Sequence, residues 1–214
     1  MNIKHKLQRF IFTIFLLSFV LLFFTGQTQA RPEAPDNAVW IIPIRGDIMP
    51  SLAAFVRRET RKALNSGVGT IIFEIDTFGG RVDSTLQITS FIMSIRNAKT
   101  VAWIGSSEAT MGISWSAGAI IAFACSEIYM APGSSIGAAA PVSGAGESAG
   151  EKAVAAIRSQ VAALAERNGH PVGLALAMVD YDIELWEVRV GDETRAMTLT
   201  ELERLERDRR DSGP

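Results

Sequence analysis

The sequence predicts an α/β fold in which repeated β-α units surround a mostly parallel sheet. Three short apolar runs, at residues 39–44, 70–75 and 100–104, have the length and the β-branched composition of buried parallel strands. Between them, residues 51–65 and 82–96 carry apolar side chains at helical spacing. Because parallel strands need a crossover connection, usually a helix, this alternation indicates β-α-β units within one sheet.

The second half of the chain adds elements of both kinds. Residues 117–124 predict a buried, alanine-rich helix, and Glu127–Met130 predicts a short strand. Glu151–Asn168 is the clearest helix, because its apolar residues recur on one face. Residues 138–150, which are nearly all Ala, Gly, Ser and Pro, predict a mobile loop. Residues 200–211 predict a charged helix whose charge pattern favours a solvated surface position.

The N-terminus has the layout of an export signal. A basic start with Lys4, Lys6 and Arg9 precedes an apolar run at residues 10–24, and small residues that suit cleavage follow at 28–30. The run is shorter than the roughly 20 apolar residues that span a bilayer, which favours a signal over an uncleaved anchor. In either case we expect the rest of the chain to be exported to the periplasmic or extracytoplasmic side of the membrane.

Composition predicts a single domain after this segment. The chain has 214 residues, of which 48% are hydrophobic and 21% are charged, enough for one buried core. We divide it into a signal peptide or anchor at 1–30, a linker at 31–37, a globular domain at 38–199 and a charged C-terminal helix or tail at 200–214. Loss of residues 1–30 removes three cations and no acid and shifts the formal charge from −2 to −5, unlike a nucleic-acid-binding protein.

Neither a disulfide nor a metal site is expected. Cys125 is the only cysteine, so the chain cannot form an internal disulfide. His170 lies in a predicted turn and lacks the Cys and His neighbours that a metal site needs. We therefore predict a solvated turn histidine, and no metal or other cofactor.

Two short motifs have the residues for acyl-transfer chemistry. The segment 76–80 (Asp-Thr-Phe-Gly-Gly) follows a predicted strand, and paired glycines can bare backbone N–H groups to an oxyanion. Ser116 precedes the alanine-rich helix, whose N-terminus favours developing negative charge. A glycine turn and an N-cap serine are the ordinary alternatives. Ser106, Ser107 and Ser114 are rival nucleophiles without a helix directly behind them.

A third motif occupies residues 130–138 (Met-Ala-Pro-Gly-Ser-Ser-Ile-Gly-Ala). Its small side chains leave room for an extended peptide beside the sheet, although loop composition explains them equally well. We assign Gly137 and Ala138, together with Phe78 and Gly79, to substrate binding.

The order of these motifs resembles the NfeD family of stomatin-operon partner proteases, relatives of ClpP and of signal peptide peptidase SppA. The resemblance rests on Asp-Thr-x-Gly-Gly, on Ser-Ala-Gly opening an apolar helix, on the run at 130–138 and on a lysine opening a long helix. It covers about residues 38–190 and implies a layered fold of the ClpP/crotonase-like type.

The resemblance also implies site residues. Ser116 matches the family's nucleophile, Lys152 matches its general base, and Gly80 with the N–H of Ala117 matches the pair that holds the oxyanion. Where ClpP has a histidine, residues 138–140 are alanines, so a His-dependent triad is excluded there. A Ser-Lys dyad requires an uncharged amine, because only the free amine can accept the serine proton. Without the family context, Lys152 would be an ordinary surface lysine.

The implied activity is that of a membrane-associated serine endopeptidase. It would cleave hydrophobic segments of stomatin-like or flotillin-like membrane proteins and form a dimer or larger homo-oligomer. A catalytically inactive adapter that binds such a protein is the main alternative, favoured by the acidic neighbours Glu147 and Glu151, which would keep Lys152 charged. An acyl-CoA enzyme of the crotonase type would share the fold, but export would remove it from cytoplasmic CoA.

Overall fold

Alternating strands and helices make up residues 38–142 and 149–211, the part of the chain that this computed structural model describes. The predicted signal and linker lie outside these residues, as does the centre of the predicted loop at 138–150. The strands are β1 (Val39–Arg45), β2 (Thr70–Asp76), β3 (Lys99–Ile104), β4 (Ser106–Ser107), β5 (Thr110–Met111), β6 (Ile113–Trp115), β7 (Glu127–Met130), β8 (Ser135–Gly137), β9 (Leu185–Val190) and β10 (Glu193–Thr198). The helices are α1 (Pro50–Asn65), α2 (Val82–Met93), α3 (Ala117–Phe123), α4 (Glu151–Asn168), α5 (Val172–Ala177) and α6 (Leu199–Asp211).

A parallel sheet of four strands forms the centre of the fold. Its order is β1-β2-β3-β7, and each neighbouring pair is parallel. Helix α1 packs on β1 and α2, and α3 packs on α2 and β2, so that the apolar side chains on one face of the sheet, such as Ile42, Phe73 and Ala102, are fully buried. The predicted α/β fold with a mostly parallel sheet is therefore confirmed.

Helix α3 is buried along its whole length. All seven residues of α3 are buried, and a Cβ atom on Gly118 would lie 2.7 Å from Cγ2 of Thr77. Only small residues permit this close approach to the segment after β2. The alanine-rich sequence therefore forms a central helix because its backbone has to lie against the sheet.

His170 differs from the prediction of a solvated turn histidine. Its side chain is half-buried, its Nε2 lies 2.8 Å from the carbonyl oxygen of Cys125, and its ring packs edge-to-face on Phe123. Asn168 donates a second hydrogen bond, at 2.8 Å, to the carbonyl of Phe123. These contacts attach the end of α4 to the end of α3, where the last carbonyl groups have no N–H donor within the helix.

Several boundaries and two hairpins also differ from the prediction. Helix α2 ends at Met93 rather than at Arg96, and the polar segment after β3 forms the antiparallel pair β4-β5. The antiparallel hairpin β9-β10 was not predicted. Helix α6 agrees with the predicted charged helix and has no buried residue. Across residues 38–142 and 149–211, every helix is too short or too polar to cross a bilayer.

Candidate active site

Ser116 connects β6 to α3 in a strained backbone conformation. Its φ is 53° and its ψ is −116°, a region that residues with a side chain rarely adopt. It occupies the N-cap position of α3, but its side chain makes no capping hydrogen bond. Its backbone N–H donates to the carbonyl of Gly137 at 2.8 Å. The N-cap alternative therefore does not account for this serine, and strain of this kind concentrates at functional sites.

The glycine pair of segment 76–80 lies directly against Ser116. Gly79 has a φ of 119°, and a Cβ atom there would lie 2.6 Å from Cβ and 2.9 Å from Oγ of Ser116. Gly80 has a φ of 153°, and a Cβ atom there would lie 2.5 Å from the backbone nitrogen of Ile48. Both positions therefore require glycine, and the pair does more than form a turn, because Gly79 lets the backbone approach the serine and Gly80 lets it approach Ile48.

Thr77 determines which glycine amide stays available. Its buried hydroxyl accepts the N–H of Gly79 at 2.9 Å and donates to the carbonyl of Gly46 at 2.5 Å. No hydrogen bond in the described part of the chain takes up the N–H of Gly80. The N–H of Ala117 lies in the first turn of α3, where amides have no intrahelical acceptor. The N–H groups of Gly80 and Ala117 are thus both available next to the serine.

Asp76 and the backbone of Thr77 hold the strand that leads to the serine. The Asp76 carboxylate accepts the N–H groups of Met111 and Ile113 at 3.1 and 3.2 Å. Thr77 donates its N–H to the carbonyl of Ile113 and accepts the N–H of Trp115, both at 3.0 Å. The segment after β2 therefore fixes β6, and with it the position of the residue that follows β6.

The four predicted substrate-binding residues lie on two sides of Ser116. Phe78 is exposed and packs edge-to-face on Trp115, with the ring centroids 5.5 Å apart. Gly79 contributes the close approach described above. On the other side, Gly137 has a φ of 139° and Ala138 a φ of 50°, and Gly137 is paired with Trp115 across β6 and β8.

A small apolar cavity opens beside Ser116. Gly80, Ala117 and the serine form one wall of it. Side chains from α2, α3, α4 and the segment after β8 form the rest, namely Val82, Thr85, Leu86, Ile120, Ala139, Pro141 and Ile157. Apart from the hydroxyls of Thr85 and Ser116 this lining is apolar and carries no charge, which favours an uncharged group beside the serine.

Lys152 does not line the cavity beside Ser116. The lysine lies in the first turn of α4, and its side chain is exposed. Ile157 of the same helix lines the cavity beside the serine. The two residues are five positions apart, which corresponds to roughly 140° around an α-helix. Their side chains therefore leave α4 in different directions, and the role of Lys152 stays a prediction.

The rival residues are placed less favourably than Ser116. Ser114 is fully buried, and Ser106 and Ser107 lie on the β4-β5 pair. His170 lies beyond the opposite end of α3, where its Nε2 contacts the carbonyl of Cys125. No group of acidic, His or Cys side chains within residues 38–142 and 149–211 could hold a metal ion.

The fold and the site define an α/β protein in which a strained serine and a glycine pair lie side by side at the mouth of a buried helix. This combination can position a nucleophile and an oxyanion-binding pair. The chain belongs to the NfeD1b family, because the family model for the NfeD1b N-terminal domain matches residues 38–208. The resemblance to the NfeD family inferred from the motifs is confirmed.

Two relatives are membrane proteins by name. Membrane protein NfeD1b of Bacillus subtilis (strain 168) is 34% identical over 173 residues, covering 81% of this chain and 38% of the relative. Membrane-bound protease PH1510 of Pyrococcus horikoshii is 30% identical over 180 residues, covering 79% of this chain and 38% of the relative. The chain thus spans well under half the length of both relatives.

Solved structures share the fold. The 1510-N membrane-bound stomatin-specific protease, as a lysine-to-alanine mutant in complex with a substrate peptide, matches with a TM-score of 0.62 and 25% identity, covering 81% of this chain and 73% of that one. A serine-to-alanine mutant of the same protease matches with a TM-score of 0.62 and 24% identity, covering 80% and 77%. The relatives of this chain therefore include a protease of the same fold.

Proposed function

We propose that this chain is a serine endopeptidase that cleaves apolar segments of membrane proteins. The observation that carries the proposal is the strained Ser116 beside a glycine pair whose Gly80 N–H has no acceptor among the described residues. Ser116 Oγ would attack the peptide carbonyl carbon, and the N–H groups of Gly80 and Ala117 would bind the resulting oxyanion. The serine proton would pass through a base to the leaving amine as the C–N bond breaks, and water would then hydrolyse the acyl-enzyme.

Lys152 is the base that we propose, by comparison with the other lysines of the domain. Lys62 and Lys99 bind carboxylates, at 2.9 Å to Glu59 and 2.7 Å to Glu127, and the hydrogen bond that Lys99 donates to Glu127 raises the pKa of Lys99. A paired, charged amine cannot accept a proton. Lys152 has no acidic partner in the described part of the chain. As the base, its Nζ would have to reach Ser116 Oγ from the exposed first turn of α4.

The substrate and location that we propose follow from the relatives. The 1510-N protease is described as stomatin-specific, so a stomatin-like or flotillin-like membrane protein is the proposed substrate or partner. The apolar cavity beside Ser116 supports a hydrophobic cleavage segment. With the export signal or anchor predicted at 1–30, the domain would act at the membrane on its extracytoplasmic side, as a homo-oligomer.

The test is cleavage of an apolar peptide and of a stomatin-like protein by the full chain. We expect Ser116→Ala to abolish both cleavage and labelling by a fluorophosphonate. Lys152→Ala should lower kcat/KM at least about 100-fold, because general-base catalysis contributes about that much. Lys62→Ala is the matched control and should keep full activity, since Lys62 is paired with Glu59 on the exposed surface. Cleavage that survives in Ser116→Ala would contradict the proposal.

A catalytically inactive adapter is the second candidate function. The exposed position of Lys152, which does not line the cavity, favours it. An adapter would bind a stomatin-like membrane protein with equal affinity before and after Ser116→Ala, and it would neither cleave that protein nor react with the fluorophosphonate. Loss of activity in Ser116→Ala but not in Lys152→Ala would keep the protease and replace only its base.

A further inference from the structure

A basic groove crosses the outer faces of α1, α2 and α4. It consists of three adjoining surface depressions, of which the first two share Arg57, Arg61 and Gln87 and the last two share Ser90 and Ser94. No acidic residue lines any of the three. Six cations line them, namely Arg57, Arg58, Arg61, Lys62, Arg96 and Arg167. The chain as a whole has a formal charge of −2, whereas the lining of this groove carries positive charge only.

Four of these six cations lack a carboxylate partner in the described part of the chain. Glu59 lies 3.0 Å from Arg58 and 2.9 Å from Lys62 and compensates those two. Arg57, Arg61, Arg96 and Arg167 form no salt bridge to a described acid. This excess of positive charge has to be balanced by solvent ions or by an anionic partner.

Two of the uncompensated arginines are held in place by neutral contacts. The guanidinium of Arg61 lies over the ring of Phe91, 5.9 Å from its centroid. Arg167 donates to the carbonyl of Met93 at 2.9 Å, at the end of α2. Holding a long side chain in this way reduces the entropy that it would lose on binding an anion. The groove therefore presents partly preorganised positive charge.

We propose that the basic groove binds the anionic phospholipid headgroups of a membrane surface. Arginine and neutral hydrogen-bond donors such as Gln87, Ser90 and Ser94 suit phosphate oxygens. A single-stranded nucleic acid is a poorer fit, because it uses exposed aromatic rings for stacking and the one ring of the groove, Phe91, lies under Arg61. The relatives are membrane proteins, and the predicted signal or anchor also brings this chain to a membrane.

Docking through this groove would hold the candidate site at the bilayer surface. Leu86 lines both the basic groove and the apolar cavity beside Ser116, so the two features adjoin. An apolar segment that emerges from the membrane would then reach the cavity while exposing only a short length to water. This consequence rests on the proposed protease function, whereas the binding of headgroups does not.

The test compares how the full chain partitions onto vesicles of phosphatidylcholine and onto vesicles containing about 30% phosphatidylglycerol. We expect stronger binding to the anionic vesicles, weakened by salt. Each cation near such a surface contributes about fivefold, so Arg57→Gln/Arg61→Gln should lower partitioning about 25-fold. Arg204→Gln/Arg207→Gln in α6 is the matched control, with the same change of net charge, and should lower it far less. The basic N-terminal residues contribute equally to all variants.

Three results would overturn the proposal. The first is equal binding to both kinds of vesicle. The second is an equal loss of binding in the Arg57/Arg61 and Arg204/Arg207 variants. The third is stronger binding to a single-stranded oligonucleotide than to anionic vesicles. Circular dichroism checks that the variants are folded, and Arg96→Gln, at the far end of the groove, repeats the test with a single substitution. Cleavage of a soluble peptide should be unchanged in all of them. If the wild type cleaves no peptide, the protease proposal fails while the vesicle result stands.

Discussion

At Ser116, a φ of 53° directs the hydroxyl away from the capping hydrogen bond that serine usually makes at a helix N-terminus. The surrounding chain keeps the residue in this conformation through the carbonyl of Gly137 and through the close approach of Gly79. Strain that costs about 1–3 kcal/mol persists only where neighbours enforce it. The conformation of Ser116 thus depends on its contacts with Gly79 and Gly137.

The Thr77 hydroxyl allows a test of how the glycine pair is held, because it binds both Gly79 and Gly46. Thr77→Val keeps the shape of the side chain but removes both hydrogen bonds. The freed N–H of Gly79 would loosen the glycine pair, so we expect kcat to fall at least about tenfold, with KM nearly unchanged, since one oxyanion donor contributes about 100-fold or more. Steady-state kinetics with the apolar peptide measures this.

Thr77→Ser is the matched control, because it keeps the hydroxyl and loses one methyl group. We expect it to retain most of the activity and to show a small loss of thermal stability. If Thr77→Val and Thr77→Ser were equally active, the hydroxyl would have no part in positioning the glycine pair. If they were equally impaired, packing of the methyl group on Gly118 would matter as much as the hydroxyl.

Among the elements, α6 has a clear local determinant of its start. The N–H of Thr198 donates to Glu201 Oε2 at 2.8 Å, and the N–H of Glu201 donates to Thr198 Oγ1 at 3.3 Å, which is a reciprocal capping box. We expect Thr198→Ala to destabilise the first turn of α6 by about 1 kcal/mol. Hydrogen exchange of the amides at 199–202 should accelerate roughly fivefold, while Thr200→Ala, an exposed helical control, should change little. Equal exchange in both variants would contradict this role of the capping box.

The antiparallel hairpin β9-β10 packs against both α5 and α6. Leu202 and Leu205 of α6 line a depression with Val188 and Val190 of β9, and none of these four residues is fully buried. Such a partly solvated contact area stabilises an element weakly. The two leucines of the charged helix therefore contact the strand β9, which the charge pattern alone did not indicate.

For the molecule as a whole, Cys125 reports on cooperative unfolding. Its thiol is completely buried after α3, and burial raises its pKa, so the folded protein presents neither access nor a thiolate. We expect a thiol reagent to label native protein at least about 1,000-fold more slowly than denatured protein, in parallel with loss of circular dichroism in denaturant. Ala163→Cys combined with Cys125→Ser places a thiol on the exposed face of α4 and should react rapidly. Rapid native labelling of Cys125 would show instead that the end of α3 opens locally.

The order of strands and helices was predictable because it depends on patterns within short segments. The boundaries of α1 and β2 agree with the sequence to within one residue, and those of α4 agree fully. The motifs around Ser116 and the glycine pair were recognisable for the same reason, since each is a short run of adjacent residues. The short hairpins escaped prediction because β4-β5 contains only two residues in each strand and β9-β10 mixes charged with apolar positions.

By itself, then, the sequence determined the α/β class, the family and the candidate nucleophile, because apolar periodicity and short motifs are properties of neighbouring residues. Only the tertiary structure decided the strained φ of Ser116, the hydrogen bond from the N–H of Gly79 to Thr77 and the contacts of His170. It left the N–H of Gly80 without an acceptor among the described residues and Lys152 exposed. It also brought the arginines of α1, α2 and α4 into one groove. These features join residues that are far apart in the chain, and their geometry depends on how the helices pack against the sheet.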